Sequence, residues 1–162
     1  KIHTKLDNLH RLSLKSFSLN NQLLASQSFS YLNSQNETSL LIYQIQTFIN
    51  HSRKEILSYT YDSFNNISSV SSNGKEIHHF IYDDNNQLIQ EDNLFSHHSF
   101  FYSYDSNKNI ISKEVFDSSN HSLIQSNSFI YDDNNRLLSF NGELCLYDNL
   151  GHPLIYRNKE CG

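Results

Sequence analysis

The sequence has no methionine and no tryptophan, one proline, four glycines and two cysteines in 162 residues. Each scarcity excludes something. Four scattered glycines make no phosphate-binding loop, and no G-x-S-x-G elbow exposes a nucleophilic serine. Cys145 and Cys161 stand outside any CxxC pair and cannot form a disulfide framework or a four-cysteine zinc site. Basic residues form no stripe and the net charge is −5, so phosphate neutralisation, and with it nucleic acid as a partner, is not expected. The longest apolar run, Leu40-Leu41-Ile42-Tyr43, stops at Gln44. That is far short of the ~20 residues a membrane span requires. Without an initiator methionine the chain reads as an internal segment, so the lack of a signal peptide says little about location.

What is present is aromatic and polar. There are 10 tyrosines and 11 phenylalanines, with asparagine and serine dominating the polar positions. Disordered chains are poor in aromatic and β-branched residues, which are abundant here. This mixture suits half-buried pleated surfaces, and the expected class is all-β.

One heptad-sized pattern recurs. Tyr61-Asp62-Ser63-Phe64-Asn65-Asn66-Ile67 is followed by Tyr82-Asp83-Asp84-Asn85-Asn86-Gln87-Leu88. Then come Tyr104-Asp105-Ser106-Asn107-Lys108-Asn109-Ile110 and Tyr131-Asp132-Asp133-Asn134-Asn135-Arg136-Leu137. The last is Tyr147-Asp148-Asn149-Leu150-Gly151-His152-Pro153, and Leu6-Asp7-Asn8-Leu9-His10-Arg11-Leu12 is a weaker copy with leucine for tyrosine. Successive motif tyrosines stand 21, 22, 27 and 16 residues apart. Insertions fall between motifs and never inside them, as loops of variable length between fixed turns would require.

Each copy has a physical reading. Before the Tyr-Asp lie Tyr59-Thr60-Tyr61, Phe80-Ile81-Tyr82, Tyr102-Ser103-Tyr104 and Phe129-Ile130-Tyr131. Positions two apart share a strand face, so each motif tyrosine has an aromatic neighbour on its own face. The aspartate can bond backbone amides ahead of it and start a turn. Asn65, Asn86, Asn135 and Gly151 are residue types that tolerate positive φ; Lys108 is the exception, where strain or a different turn is expected. The chain then resumes at Ile67, Leu88, Ile110 or Leu137, with Pro153 in the last copy. The array therefore predicts a run of antiparallel hairpins, a motif tyrosine facing an aliphatic residue beside each turn.

The N-terminal third is less regular. Gln22–Tyr31 and Thr38–Ile49 look extended, a helix with Leu41, Ile45, Phe48 and Ile49 as its stripe being the alternative for the second. The gap between Asp7 and Asp62 has room for two degenerate repeats. The expected division is residues 1–56 as degenerate N-terminal repeats and residues 57–162 as clear ones.

Candidate chemistry is thin. His78-His79 and His97-His98 are adjacent pairs whose rings point to opposite strand faces, so chelation would need rings from neighbouring strands, for instance His79 with His98. Asp83-Asp84 and Asp132-Asp133 offer too few oxygens for calcium. Recurring as they do with the repeat, they are poor acid–base pairs as well. Cys145, between Leu144 and Leu146, reads as a small buried hydrophobe. No catalytic, cofactor-binding or metal-binding residue is assigned, and no enzyme activity or cofactor is expected. Exposed tyrosine with asparagine and serine is also the palette of sugar-binding surfaces, with cross-strand packing the competing use of the rings.

On these motifs the chain resembles the YD-repeat, or RHS-repeat, proteins, and most of all the wall-associated or secreted ones of low-GC Gram-positive bacteria. Their pattern is roughly YDxxGR/NL. Here asparagine mostly replaces the glycine, and only Gly151 keeps it. The stretch from Phe140-Asn141-Gly142-Glu143 to Tyr156-Arg157 is similar to the family's NG…YDxxGNPxxYR segment. The match covers Tyr59 to Arg157 well. The resemblance implies a β-sheet strip spiralling into a hollow shell, of which this chain is one segment. The closing core and the C-terminal effector would lie beyond it. It implies a secreted, cell-surface or cell-wall location. The partners it implies are flanking repeats and a C-terminal toxin or effector of the same polypeptide. The alternative is an extracellular carbohydrate-binding or adhesion module with cell-surface glycans as partners.

Overall fold

The computed structural model describes residues 1–33 and 38–160. Its regular elements are all strands: β1 (Ile2–Leu6), β2 (Leu12–Leu19), β3 (Gln22–Asn33), β4 (Thr38–Ile49), β5 (Ser52–Tyr61), β6 (Ile67–Ser72), β7 (Lys75–Tyr82) and β8 (Leu88–Asn93). They continue as β9 (His98–Tyr104), β10 (Ile110–Asp117), β11 (Leu123–Tyr131), β12 (Leu137–Phe140), β13 (Glu143–Leu144), β14 (Leu146–Tyr147), β15 (Pro153–Tyr156) and β16 (Lys159–Glu160). Hydrogen bonding follows chain order, β1 to β13 in one antiparallel sheet and β14 to β16 in a second. The all-β run of hairpins is thus the architecture. Thr38–Ile49 is a strand and not a helix, as its β-branched and aromatic residues favour.

The chain divides into two compact units, Lys1–His79 and Phe80–Gly162. In the first, the 54 positions between Asp7 and Asp62 hold four strands, β2 to β5. The loop that would carry an intervening motif falls at 34–37, outside the described residues. In the second, Cys145 separates β13 from β14. Its amide donates to Leu138 O at 2.8 Å, so pairing with β12 runs on past the end of β13.

Two kinds of turn recur in each unit. One is the aspartate turn. The other is a two-residue loop with positive φ at both positions: Asn20-Asn21, Asn50-His51 and Asn73-Gly74 in the first unit, Asn141-Gly142 and Arg157-Asn158 in the second. Double positive φ is the type I′ turn, whose twist matches that of the strands it joins. Successive turns of an antiparallel meander lie at opposite strand ends. Among the described turns of the first unit the aspartate turns therefore share one margin and the type I′ turns the other.

Asparagine does more than bend the I′ turns. Asn73 donates its amide to Ile56 O at 2.8 Å, while its side-chain Oδ1 accepts the Ile56 amide at 3.0 Å. Asn141 does the same with Ser128, and Asn158 with Leu144. Each of these asparagines thereby satisfies an amide of the strand beside it and completes its ladder.

Full burial is rare. Among the described residues Val115 and Cys145 are the enclosed apolar side chains and Asn127 the enclosed polar one. The strand stretches leading into the aspartate turns instead alternate between half-buried and exposed positions. Tyr59, Tyr61, Phe80, Tyr82, Tyr102, Tyr104, Phe129 and Tyr131 are all half-buried, and Thr60, Ile81, Ser103 and Ile130 between them are exposed.

Candidate functional site: the aspartate turns

Tyr61, Tyr82, Tyr104, Tyr131 and Tyr147 are the last residues of β5, β7, β9, β11 and β14. Ile67, Leu88, Ile110, Leu137 and Pro153 are the first residues of β6, β8, β10, β12 and β15. The tyrosine faces the aliphatic residue across the hairpin in the pairs Tyr61↔Ile67, Tyr104↔Ile110, Tyr131↔Leu137 and Tyr147↔Pro153. Leu6↔Leu12 is the same pair in the weak copy. Register shifts by a residue beside every one of these pairs.

The loop between them is one repeated object. The amide of Asp62 donates to Asn66 O, and the amide of Asn65 donates to Asp62 O. With Asn65 at φ 67, this is a type I turn closed by a left-handed residue, which makes the bulge. Asp7, Asp83, Asp105, Asp132 and Asp148 repeat both bonds, with His10, Asn86, Lys108, Asn135 and Gly151 in the left-handed position. Lys108 thus makes the same turn as its neighbours at φ 69 and carries the left-handed strain in it.

Each aspartate side chain is satisfied from inside its own turn. Its Oδ1 accepts the amides two and four residues on, at 2.8–2.9 Å in all six copies. Its Oδ2 accepts from the side chain four residues on: Arg11 at 2.8 Å, Asn66 at 3.0 Å, Asn109 at 2.9 Å and Arg136 at 2.7 Å. His152 Nδ1 lies 3.0 Å from Asp148 Oδ2. Asp83 differs, because Gln87 Nε2 is enclosed without a hydrogen-bond partner.

These bonds favour the ionised carboxylates. Asp62 and Asp105 are held below the ordinary carboxylate pKa by the side-chain amides of Asn66 and Asn109, with backbone amides adding to them. For Asp132 and Asp148 the amides of Arg136 and His152 lead. At Asp7 desolvation works upward, but the bonds from Arg11 and Leu9 outweigh it. With both oxygens engaged, these carboxylates have little capacity left for a ligand or a transferring proton.

Neighbouring repeats are coupled through tyrosine. Tyr104 donates its hydroxyl to Leu88 O at 2.7 Å, the first residue after the preceding turn. Tyr61 donates to Ile42 O at 2.6 Å and Tyr31 to Leu12 O at 2.9 Å. The guanidinium of Arg11 lies 4.3 Å from the Tyr31 ring centroid, and that of Arg136 5.4 Å from the Tyr147 ring. Asn109 Nδ2 donates to Asn135 Oδ1 at 2.8 Å, joining two turns directly. Burial raises the pKa of Tyr61, Tyr104, Tyr131 and Tyr147, so they stay protonated donors.

One turn escaped the sequence pattern. Asp117 accepts the Ser119 amide at 2.7 Å, His121 takes φ 57, and the amide of Asp117 donates to Ser122 O. Phenylalanine stands in the tyrosine place and the loop is one residue longer, which hid it. The other candidates resolve simply. Cys145 is fully enclosed, His79 Nδ1 lies 3.2 Å from Glu76 Oε1, and Cys161 lies outside the described residues. Among the described residues no three His, Cys, Asp or Glu side chains gather at metal-binding range, and no helix is long and apolar enough to cross a membrane.

No family model matches the chain, and no curated protein does. Solved structures do. The chain is similar to part of the Photorhabdus luminescens Tc holotoxin pore, at TM-score 0.57 and 12% identity, over 94% of this chain and 11% of that one. It is similar to TcdB2-TccC3-TEV at TM-score 0.56 and 13% identity, over 99% of this chain and 11% of that one. It is also similar to TcdB2-TccC3 without its hypervariable C-terminal region, at TM-score 0.55 and 16% identity, over 85% and 8% of the two chains. What this likeness shows is the fold, a run of antiparallel β-hairpins; the chain spans about a tenth of the length of those it matches.

Proposed function

We propose that this segment is part of the wall of a β-sheet shell. The shell encloses or displays a C-terminal toxin or effector domain of a large secreted or cell-surface bacterial protein. The observation that carries the reading is the aspartate turn. Six copies spend their carboxylates on their own backbone, and Tyr61 and Tyr104 spend their hydroxyls on a neighbouring strand, so the repeated chemistry is that of construction and not of turnover. The scarcity of fully enclosed side chains suits a wall better than a free-standing globule. Similarity in fold to parts of Tc toxin complexes supports the same reading. In it, the nineteen motif residues from Tyr61 to Pro153 are structural, and the partners are flanking repeats and the effector of the same polypeptide.

Limited proteolysis of the whole polypeptide that carries the segment tests this. The domain after the repeats should resist trypsin in the native protein and lose that protection when Asp105→Ala and Asp132→Ala loosen the wall. Cleavage of that domain at the rate of its isolated form would refute enclosure. Specific glycan binding by the intact protein would favour the carbohydrate-binding, adhesion reading instead.

A further inference from the structure

A hollow on the face of β8, β9 and β10 is built by register. Gln90, Phe101 and Glu114 face one another across three strands, and Asp92, Ser99 and Phe116 form the next row on the same face. Ser99 is the smallest of the six, and larger neighbours stand around it. These residues line a single concavity. Its floor is a pair of phenyl rings, Phe101 and Phe116, whose centroids lie 5.5 Å apart edge to face. Phe101 is 37% exposed, enough to offer ring surface to a visitor.

The charge of the hollow is one-sided. Asp92 and Glu114 stand at diagonal corners, Ser118 and His121 complete the rim, and among the described residues no lysine or arginine lines the site. Asp92 accepts only the Gln90 amide, at 2.9 and 3.1 Å, and Glu114 has no ion pair among the described residues. The nearest cation in sequence, Lys113, lies on the opposite sheet face, its ammonium 5.1 Å from the Phe100 ring centroid and 5.7 Å from that of Tyr102. A concave site with an aromatic floor and two uncompensated carboxylates is complementary to an amphipathic cation. An aliphatic stem covers the phenyl rings and the charged head meets the carboxylates.

We propose that this hollow receives an arginine or lysine side chain presented by an extended segment of another polypeptide stretch. The site does not depend on the scaffold reading, since β8–β10 and the loop after β10 supply its whole lining. A neutral sugar would gain the ring contact but leave the two carboxylates without their counter-charge. An acidic segment would be repelled.

The test uses the purified 162-residue chain and a fluorescein-labelled, amidated Gly-Arg-Gly-Arg-Gly peptide, read by anisotropy. Asp92→Asn with Glu114→Gln should weaken binding about fivefold to tenfold, and so should Phe101→Ala. Asp84→Asn with Asp133→Asn removes the same charge from exposed turn positions and should leave binding unchanged. Circular dichroism of each variant checks that the sheet is retained. Equal weakening by the two charge-matched pairs would reduce the effect to net charge and overturn the site. So would no binding, or tighter binding of a neutral glucose tetramer than of the peptide.

Discussion

At the residue scale the aspartate is the centre of the repeat. Replacing Asp132 by alanine removes the one oxygen that accepts two backbone amides and the Arg136 partner at once, whereas asparagine keeps an oxygen for the amides and loses the charge. Thermal unfolding should rank the two, alanine lowering the midpoint by about 2–4 °C and asparagine by less. Acid should act on six of the turns together. Asp7, Asp62, Asp105, Asp117, Asp132 and Asp148 have folded pKa values below the ordinary 3.8. A depressed folded value means the unfolded chain binds protons first on the way down. The contribution is therefore complete above about pH 4 and is lost as pH falls through the lower folded values. A melting series from neutral to acid should be flat at first and then fall below about pH 4; a midpoint unchanged well below that would contradict the turn chemistry. Lys108 runs the other way. It holds φ 69 without the local bonds that help asparagine there, so Lys108→Gly should stabilise by about 1 kcal/mol, measured by urea unfolding.

At the element scale the two turn types divide the work. Aspartate turns close the hairpins, and the hydroxyls of Tyr61 and Tyr104 tie two of them to the strand before. Tyr104→Phe deletes only the bond to Leu88 O and should cost about 0.5–1.5 kcal/mol in chemical denaturation, with the ring packing kept. Gly74 stands at φ 83 with open space where a Cβ would sit. Its replacement by alanine should therefore cost about 1–2 kcal/mol of backbone strain alone, without any clash. The aspartate hairpins were legible in the sequence because their chemistry is local: Tyr, Asp and Asn occupy fixed offsets, and alternation sets the face. The I′ margin was largely not legible. Asn20-Asn21, Asn50-His51 and Arg157-Asn158 lack the glycine that announces such a turn, and of these Asn158 is held by the reciprocal asparagine bond to a strand 14 residues back. The hollow over Ser99 was illegible for a similar reason, since its six residues meet only through the register of three strands.

At the scale of the whole molecule, the run of strands has ends. β1 opens the strand order, and all five of its residues are exposed, Ile2 at 65% and Leu6 at 50%. Its outward amides and carbonyls have no neighbour in the order β1 to β13. Natural edge strands are usually blunted by proline, inward charge or a covering loop. β1 carries Lys5 and His3 but no proline, and its bulge lies at Leu6, beside the turn. Phe17 and Ile49 add exposed apolar surface on β2 and β4. A strand so presented is a template for another strand. In the shell reading the flanking repeat fills that place, and in the isolated chain a second copy does. The 162 residues alone should therefore self-associate, giving a weight-average mass above the 18.9 kDa monomer at about tens of micromolar by light scattering. Replacing Thr4 by proline should shift the distribution toward monomer, because a proline removes a donor from the edge. A monodisperse monomer of the unaltered chain at that concentration would mean that the edge is protected in some other way, and the case for a neighbouring repeat at β1 would go with it.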